Sequence, residues 1–257
     1  MKRTDESLQL FIHAFAARDL AEPLASFDDT TPPSIILSAI ETNPWEVIGI
    51  REEGVVVGWL TRDDVMNSTD ALNCHTLDTA RVILESAPLN EVITALDSTP
   101  VLFVRSLGQI GGVICRRDLQ KPAMRMWLFG LVTVSELRVT QMISEHCPED
   151  SWQQHISAGR LEKAQAIQAE RGRRGQSPNL LDCLQFADKG QIVARNEKLR
   201  ELTRFGSKRQ VEEFVAGLQD LRNNLAHAQD ILNDWDVVRN LALNLHRTVL
   251  GPDGMAG

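Results

Sequence analysis

Apolar positions along this chain follow two rhythms, one in each half. In the first half they come as short runs separated by turn residues. Residues 32–40 read as a helix, 46–50 (EVIGI) as a strand, 52–54 (EEG) as a turn and 55–60 as a second strand, closing on Thr61-Arg62-Asp63-Asp64. The same plan then returns: helix 89–96, strand 101–105, turn 106–108 (SLG), strand 110–114, closing on Cys115-Arg116-Arg117-Asp118. Short apolar strands around a glycine turn are hairpin signals. A plan that recurs along a chain marks an internal repeat. A helix over residues 8–20, with an apolar stripe of Leu8, Phe11, Ile12 and Phe15, precedes the first copy.

From Lys121-Pro122 onward the strand signals stop and the spacing becomes helical. Residues 124–143 carry Trp127, Leu131, Val134 and Leu137 as an apolar stripe, with Glu136 among them. Further helices are expected over 156–171, 179–188 (running on past Gly190), 208–225 and 236–249. Five helices with polar connections make an α bundle. Glu136, Asp182 and Asp188 read as buried polar residues of that bundle, suited to hydrogen bonding or a dimer interface, Glu136 first. The division expected is 1–120 (repeat 1 about 17–70, repeat 2 about 75–120), 121–250, and a disordered tail over 251–257.

Charge sharpens the contrast between the halves. The 257 residues carry a net charge of −8, which disfavours a generic nucleic-acid binder. Residues 1–120 hold 9 basic and 18 acidic side chains, whereas 160–209 hold 12 basic and 6 acidic. The loop RGRRGQSP, with Arg171, Arg173 and Arg174, and the run 195–209 are therefore the candidates to follow an RNA backbone. Cys74, Cys115, Cys147 and Cys183 form no CxxC pair, and with the scattered histidines they offer no metal-ligand spacing. No signal peptide and no membrane span are read from the sequence, so a cytoplasmic location with reduced thiols is expected.

The two hairpins, GVVVGWLTRDDV and GQIGGVICRRDL, resemble those of a tandem pair of CBS domains over about residues 17–119. That resemblance implies a βαββα repeat and a regulatory adenine nucleotide (AMP, ADP, ATP or a related adenosyl ligand). In repeat 1 it implies Thr61 on a phosphate or ribose, Asp64 on the ribose hydroxyls and Trp45, in Asn43-Pro44-Trp45, beside the base. In repeat 2 it implies Asp118 and Thr99, within Ser98-Thr99-Pro100. Cys115 stands where the hydroxyl is expected, and a thiol is a poor phosphate donor. Arg62, Arg116 and Arg117 could offset the acidic surroundings. T-x-x-D is also the pattern of a helix N-cap box.

In the helical half, LRNNLAHAQDI holds Arg222, Asn223 and His227. Arginine grips phosphate through a fork of donors, and histidine moves protons near neutrality. With the all-helical context, this R-N-x-x-x-H arrangement resembles a HEPN domain. The resemblance implies metal-independent RNA cleavage in a homodimer that brings two such motifs into one cleft. His227 would act as general acid or base, Arg222 would stabilise the transition state, and Asn223 would orient one of them. On an unbroken helix Arg222 and His227 point roughly 140° apart, so convergence needs a helix end between them, a long arginine reach or a second subunit.

The expected fold is thus an α+β tandem CBS module followed by an all-α HEPN-type bundle. The expected protein is an adenine-nucleotide-regulated ribonuclease, homodimeric through both halves and needing no catalytic cofactor. A toxin role with a cognate antitoxin, or a role in phage defence, would follow from the family. The alternative is a non-catalytic dimer that senses a nucleotide and binds RNA or protein.

Overall fold

The computed structural model describes residues 11, 13–67, 72–203, 205–233 and 235–250, without the side chains of Ala80 and 246–250. Residues 8–10 and 12 of the expected helix 8–20, and the tail 251–257, lie outside the described residues. Where that helix is described toward its end, Ala17–Asp19 form a single 3-10 turn. The chain divides into two compact units, one of residues 12–124 and the other of residues 125–257 together with the residues before Ile12.

The first unit contains the two copies. Copy one comprises β1 (Glu22–Pro23), β2 (Ser26–Asp28), α1 (Pro33–Thr42), β3 (Val47–Glu52), β4 (Val55–Thr61) and α2 (Arg62–Met66). Copy two comprises β5 (His75–Thr76), β6 (Val82–Leu84), α3 (Leu89–Ser98), β7 (Val101–Ser106), β8 (Gln109–Cys115) and a 3-10 turn over Arg116–Gln120. The sheets run β2-β3-β4-β5 and β1-β8-β7-β6, so β1 joins the sheet of the second copy and β5 closes that of the first. In each sheet the leading short strand is parallel to the hairpin, β2 to β3 and β6 to β7.

The copies agree in detail at a spacing of 54 residues. Each hairpin turns in two residues of positive φ, Glu53-Gly54 (49° and 82°) and Leu107-Gly108 (49° and 83°). Two left-handed residues in a row match the right-handed twist of the strands, and glycine takes the second without a Cβ penalty. Ladder irregularities fall at Ile50/Arg51 and at Val104/Arg105. Alternation along the strands then sorts the side chains. Ile48, Ile50 and Leu60 join Ile36, Ile40 and Val65 in a core against the helices of the first copy. Val47 and Trp59 point the other way and pack with Val101, Phe103, Val113 and Cys115 from the second copy.

The second unit is helical, as expected: α4 (Pro122–His146), α5 (Ala158–Arg173), α6 (Phe186–Arg195), α7 (Glu197–Glu201), α8 (Lys208–Ala226) and α9 (Trp235–Leu250). Trp127 and Leu131 of the expected stripe are buried, but Leu137 is 57% exposed. The expected helix 179–188 is displaced. Leu180–Cys183 form a 3-10 turn, Leu184 is extended, and the α-helix starts at Phe186. Asp188 explains the shift, since its carboxylate accepts the Gln185 N–H at 3.2 Å and so begins a helix instead of ending one. Asp188 is buried, as expected, and lies 3.4 Å from the Arg160 guanidinium. Asp182, expected to be buried, is exposed, because the 3-10 turn carries it outward. Glu136 is half-buried and pairs with buried Lys189 at 3.2 Å.

At Gly190 α6 packs closely on α8: an added Cβ would stand 2.6 Å from Val215 Cγ1. Valine is stiff at χ1 and cannot swing aside. Gly190→Ala is therefore expected to destabilise the protein by about 1–3 kcal/mol in urea unfolding. Gly172→Ala, where an added Cβ meets nothing within 4 Å, should be neutral or slightly stabilising.

Candidate functional site

The residues expected to hold a nucleotide are used in different ways. Asp118 and Trp45 share one crevice between the sheets, with Glu22, Pro23, Glu46, Val47, Val113, Cys115 and Arg117. Chain order pairs Trp45 with Thr61 and Asp64, but the fold pairs it with Asp118. The reason is the core between the sheets, which brings the start of β3 against the end of β8. The crevice has a volume of only about 30 Å³. It is held closed by charge: Arg117 meets Glu46 at 2.6 Å, and Lys121 bridges Glu22 (2.5 Å) and Asp118 (3.1 Å). Asp118 is 4% exposed and accepts the Cys115 N–H at 2.7 Å. Burial, then the Asp118 and Glu46 carboxylates, push the Cys115 thiol up to about 11, so it stays protonated.

Thr61 and Asp64 form the counterpart of this site in the first copy, and they form an N-cap box. The Thr61 hydroxyl donates to Asp64 Oδ2 at 2.6 Å, the Thr61 N–H donates to the same oxygen at 2.7 Å, and the Asp64 N–H returns to Thr61 Oγ1 at 3.1 Å. His75 Nε2 also donates to Asp64 Oδ2 at 3.0 Å. The His75 ring is stacked on Trp59 at 4.4 Å, and Arg81 lies over the same indole at 5.1 Å. His75 sits in β5 opposite Trp59, as Glu22 sits in β1 opposite Val113, so the two are repeat equivalents. Neither was legible as a site residue, because the short strands that carry them give no periodic signal. Thr99 is buried with its hydroxyl donating to the Val101 carbonyl at 3.1 Å, turned into its own loop. Arg62 is turned inward as well and closes α1 by donating to the Ile40 and Asn43 carbonyls at 2.8 and 2.9 Å.

In the helical unit, Arg222, Asn223 and His227 are all exposed near the C-terminal end of α8. The helix is unbroken through Ala226, and His227 is its C-cap, followed by Ala228 in the left-handed region (φ 52°). The helix end falls only at His227 itself, four residues of regular helix past Arg222, and among the described residues no hydrogen bond joins the two side chains. Asn223 and His227 stand one turn apart, and the His227 N–H donates to the Asn223 carbonyl at 3.0 Å. The end itself is held by Arg125, which donates to the carbonyls of Gln229 (2.9 Å), Asn224 (3.0 Å) and Leu225 (3.3 Å). A guanidinium there satisfies orphan carbonyls and opposes the helix dipole. Sequence reading missed Arg125, which lies about 100 residues from its partners.

Of the basic loop, Arg173 and Arg174 both pair with Glu170, at 2.6 and 3.0 Å, and Arg171 is exposed beside them. Along the run 195–209, Arg195 and Arg200 donate to carbonyls of their own unit, and Arg209 pairs with Glu213. Arg204 lies outside the described residues. Among the described residues no group of three metal-ligating side chains occurs, and no helix is long and apolar enough to cross a membrane.

No family model matches this sequence, and no curated protein does. Among solved structures, the CBS domain of a bacterial CNNM/CorC family Mg2+ transporter in complex with ATP is similar at 13% identity and a TM-score of 0.36, covering 46% of this chain and 93% of its own. A CBS-domain pair with bound AMP from Klebsiella pneumoniae is similar at 14% identity and a TM-score of 0.33, covering 40% of this chain and 94% of its own. A Methanocaldococcus jannaschii protein covers 90% of this chain and 99% of its own at 11% identity and a TM-score of 0.40. CBS-domain structures are among those to which this chain is similar.

Three donors hold the Asp64 carboxylate. Burial pushes its pKa up, but the hydrogen bonds from Thr61 and His75 outweigh this and leave it below the ordinary carboxylate value. A depressed folded pKa stabilises above the unfolded value, about 3.9, and the stabilisation is lost as pH falls through the folded one. The gap in urea stability between wild type and Asp64→Asn should therefore be full at pH 6 and narrow steadily below pH 4.

Proposed function

We propose that this protein is a CBS-type sensor of an adenine nucleotide joined to a helical output unit, and that the output is metal-independent RNA cleavage at Arg222, Asn223 and His227. The sensor reading rests on the repeat. Two copies spaced by 54 residues put a carboxylate at the start of a helix in each, Asp64 and Asp118, and Trp45 lines the crevice of the second. The output reading rests on one observation, a rigidly closed helix end that displays an arginine, an amide and an imidazole together to solvent.

The nucleotide enters by opening the crevice. Arg117 then exchanges Glu46 for phosphate oxygens, a bidentate partner that guanidinium favours. Glu46→Gln releases Arg117 and removes one acidic wall, so AMP affinity should rise about tenfold, or about 1.4 kcal/mol. Arg117→Gln should lower it. Calorimetric titration of the full chain with AMP and ATP measures both.

For cleavage, two chains pair so that Arg222 of one and His227 of the other flank one phosphodiester. The 2′-oxygen attacks phosphorus in line and the 5′-oxygen leaves, giving a 2′,3′-cyclic phosphate and a 5′-hydroxyl. His227 moves the proton of the attacking or leaving oxygen, and Arg222 stabilises the pentacovalent phosphorus. The test is digestion of total cellular RNA in EDTA, with and without AMP or ATP. His227→Ala and Arg222→Ala should each slow the appearance of cyclic-phosphate ends by roughly 10²-fold or more. The unbroken helix between Arg222 and Ala226 favours a second reading, in which the unit binds RNA or protein without cutting. In that case wild type and His227→Ala retain the same RNA affinity and neither releases fragments.

A further inference from the structure

The helical unit contains a cavity of about 400 Å³ that neither the RNA motif nor the nucleotide crevice uses. Its walls come from α4, α6, α8, α9 and the loop after α7. The interior is apolar and aromatic: Phe205 and Phe214 pack with ring centroids 4.8 Å apart, beside Phe186 and Leu218. Its polar side chains are Ser135, Arg138, Gln141, Glu145 and His146 from α4 and Thr203 from the loop. All but one of them are engaged. Gln141 donates to Glu145 at 2.7 Å, His146 Nδ1 donates to the Met142 carbonyl at 3.0 Å, and the Thr203 hydroxyl donates to the Arg200 carbonyl at 2.7 Å. Arg138 has a partner as well. Ser135 is the exception: it is 5% exposed, and its hydroxyl has no hydrogen-bond partner among the described residues. It stands on the face of α4 that Val139 and Met142 continue along the cavity, at i, i+4 and i+7.

We infer that this cavity binds a small uncharged aromatic molecule with one hydrogen-bonding group, its ring among Phe186, Phe205 and Phe214 and that group on the Ser135 hydroxyl. The volume lies within the range of small-molecule sites, about 300–1,000 Å³. The aromatic body follows from the walls, because rings pack on one another by their edges and offset faces. That the ligand is uncharged follows from the polar lining. Arg138 and Glu145 already have partners, and burying an ion that finds none is costly. The polar group follows from Ser135. A buried hydroxyl without a partner lowers stability, and a ligand that supplies the missing hydrogen bond recovers that loss only when bound.

The full-length protein is titrated calorimetrically with phenylacetamide, phenylacetate, phenethylamine and ethylbenzene, which share one ring and differ in the end group. Saturable one-to-one binding of phenylacetamide is expected, with the anion and the cation each at least about tenfold weaker. Ser135→Ala should weaken phenylacetamide about fivefold, the share of one neutral hydrogen bond, and leave ethylbenzene unchanged. Without ligand the same variant should melt at or above the wild-type temperature, because the hydroxyl has no partner to lose. Leu202→Trp, at a half-exposed wall position where added bulk does not enter the core, should weaken every ligand that binds. Circular dichroism confirms that both variants fold. No saturable binding by folded wild type, a charged congener bound as tightly as the amide, or an amide affinity that Ser135→Ala leaves intact would overturn the assignment. A lower melting temperature for ligand-free Ser135→Ala would overturn it too, since the hydroxyl would then serve the fold. So would a change of oligomeric state in Leu202→Trp, which would make this face an interface between copies.

Discussion

The packing of one sheet on the other, Val47 and Trp59 against Val101, Phe103, Val113 and Cys115, is the constraint on which the N-terminal unit depends. A single copy has four short strands and two helices, and its helices cover only one sheet face. The other face is apolar and gains its cover only from the second copy, which is why the plan has to occur twice. This packing also places the chemistry. Because the start of β3 meets the end of β8, the crevice with Asp118 takes its aromatic wall from the first copy. The site belongs to the pair and to neither copy alone.

Much of this was legible, and what was not has a physical cause. Hairpins and long helices announce themselves through glycine turns and periodicity, and β3, β4, β7, β8, α1 and α3 stand within a few residues of expectation. The strands β1, β2, β5 and β6 are two or three residues long, too short for any alternation, so Glu22 in the crevice wall and His75 on the Asp64 carboxylate went unread. Asp188 was read as belonging to a helix that starts at residue 179, when its carboxylate begins the helix at Phe186. Arg117 and Glu46, 71 residues apart, can be paired only by knowing which strands meet. The expected nucleotide residues Thr61 and Thr99 were the right type at the right spacing, yet their hydroxyls serve the local backbone and a neighbouring carboxylate. Motif spacing identifies a helix start; it does not say whether ligand or fold consumes it.

Charged groups here serve helix ends first. Asp64, Asp118 and Asp188 each accept an N–H at a helix or turn start. Arg62 and Arg125 each close a helix by donating to its last carbonyls. Such contacts satisfy backbone groups that would otherwise lack partners, and each charge complements the dipole at the end it occupies. The Arg62 guanidinium, engaged by two carbonyls of its own copy, is thereby removed from the inventory of ligand-binding groups. The motif on α8 differs: Arg222, Asn223 and His227 remain exposed while a separate arginine does the capping. The structural duty of that helix end is met by Arg125, which leaves the motif side chains available.

The cavity and the motif are joined through α8. Leu218 lines the cavity, and Arg222 stands four residues on, one turn further along the same helix face. Arg125 fixes the far end of that helix, and Gly190 lets α6 approach it closely beside Val215. A helix gripped at two points moves as a rigid rod. Leu218 of the cavity wall and Arg222 of the motif are thus carried by one uninterrupted turn of the same helix.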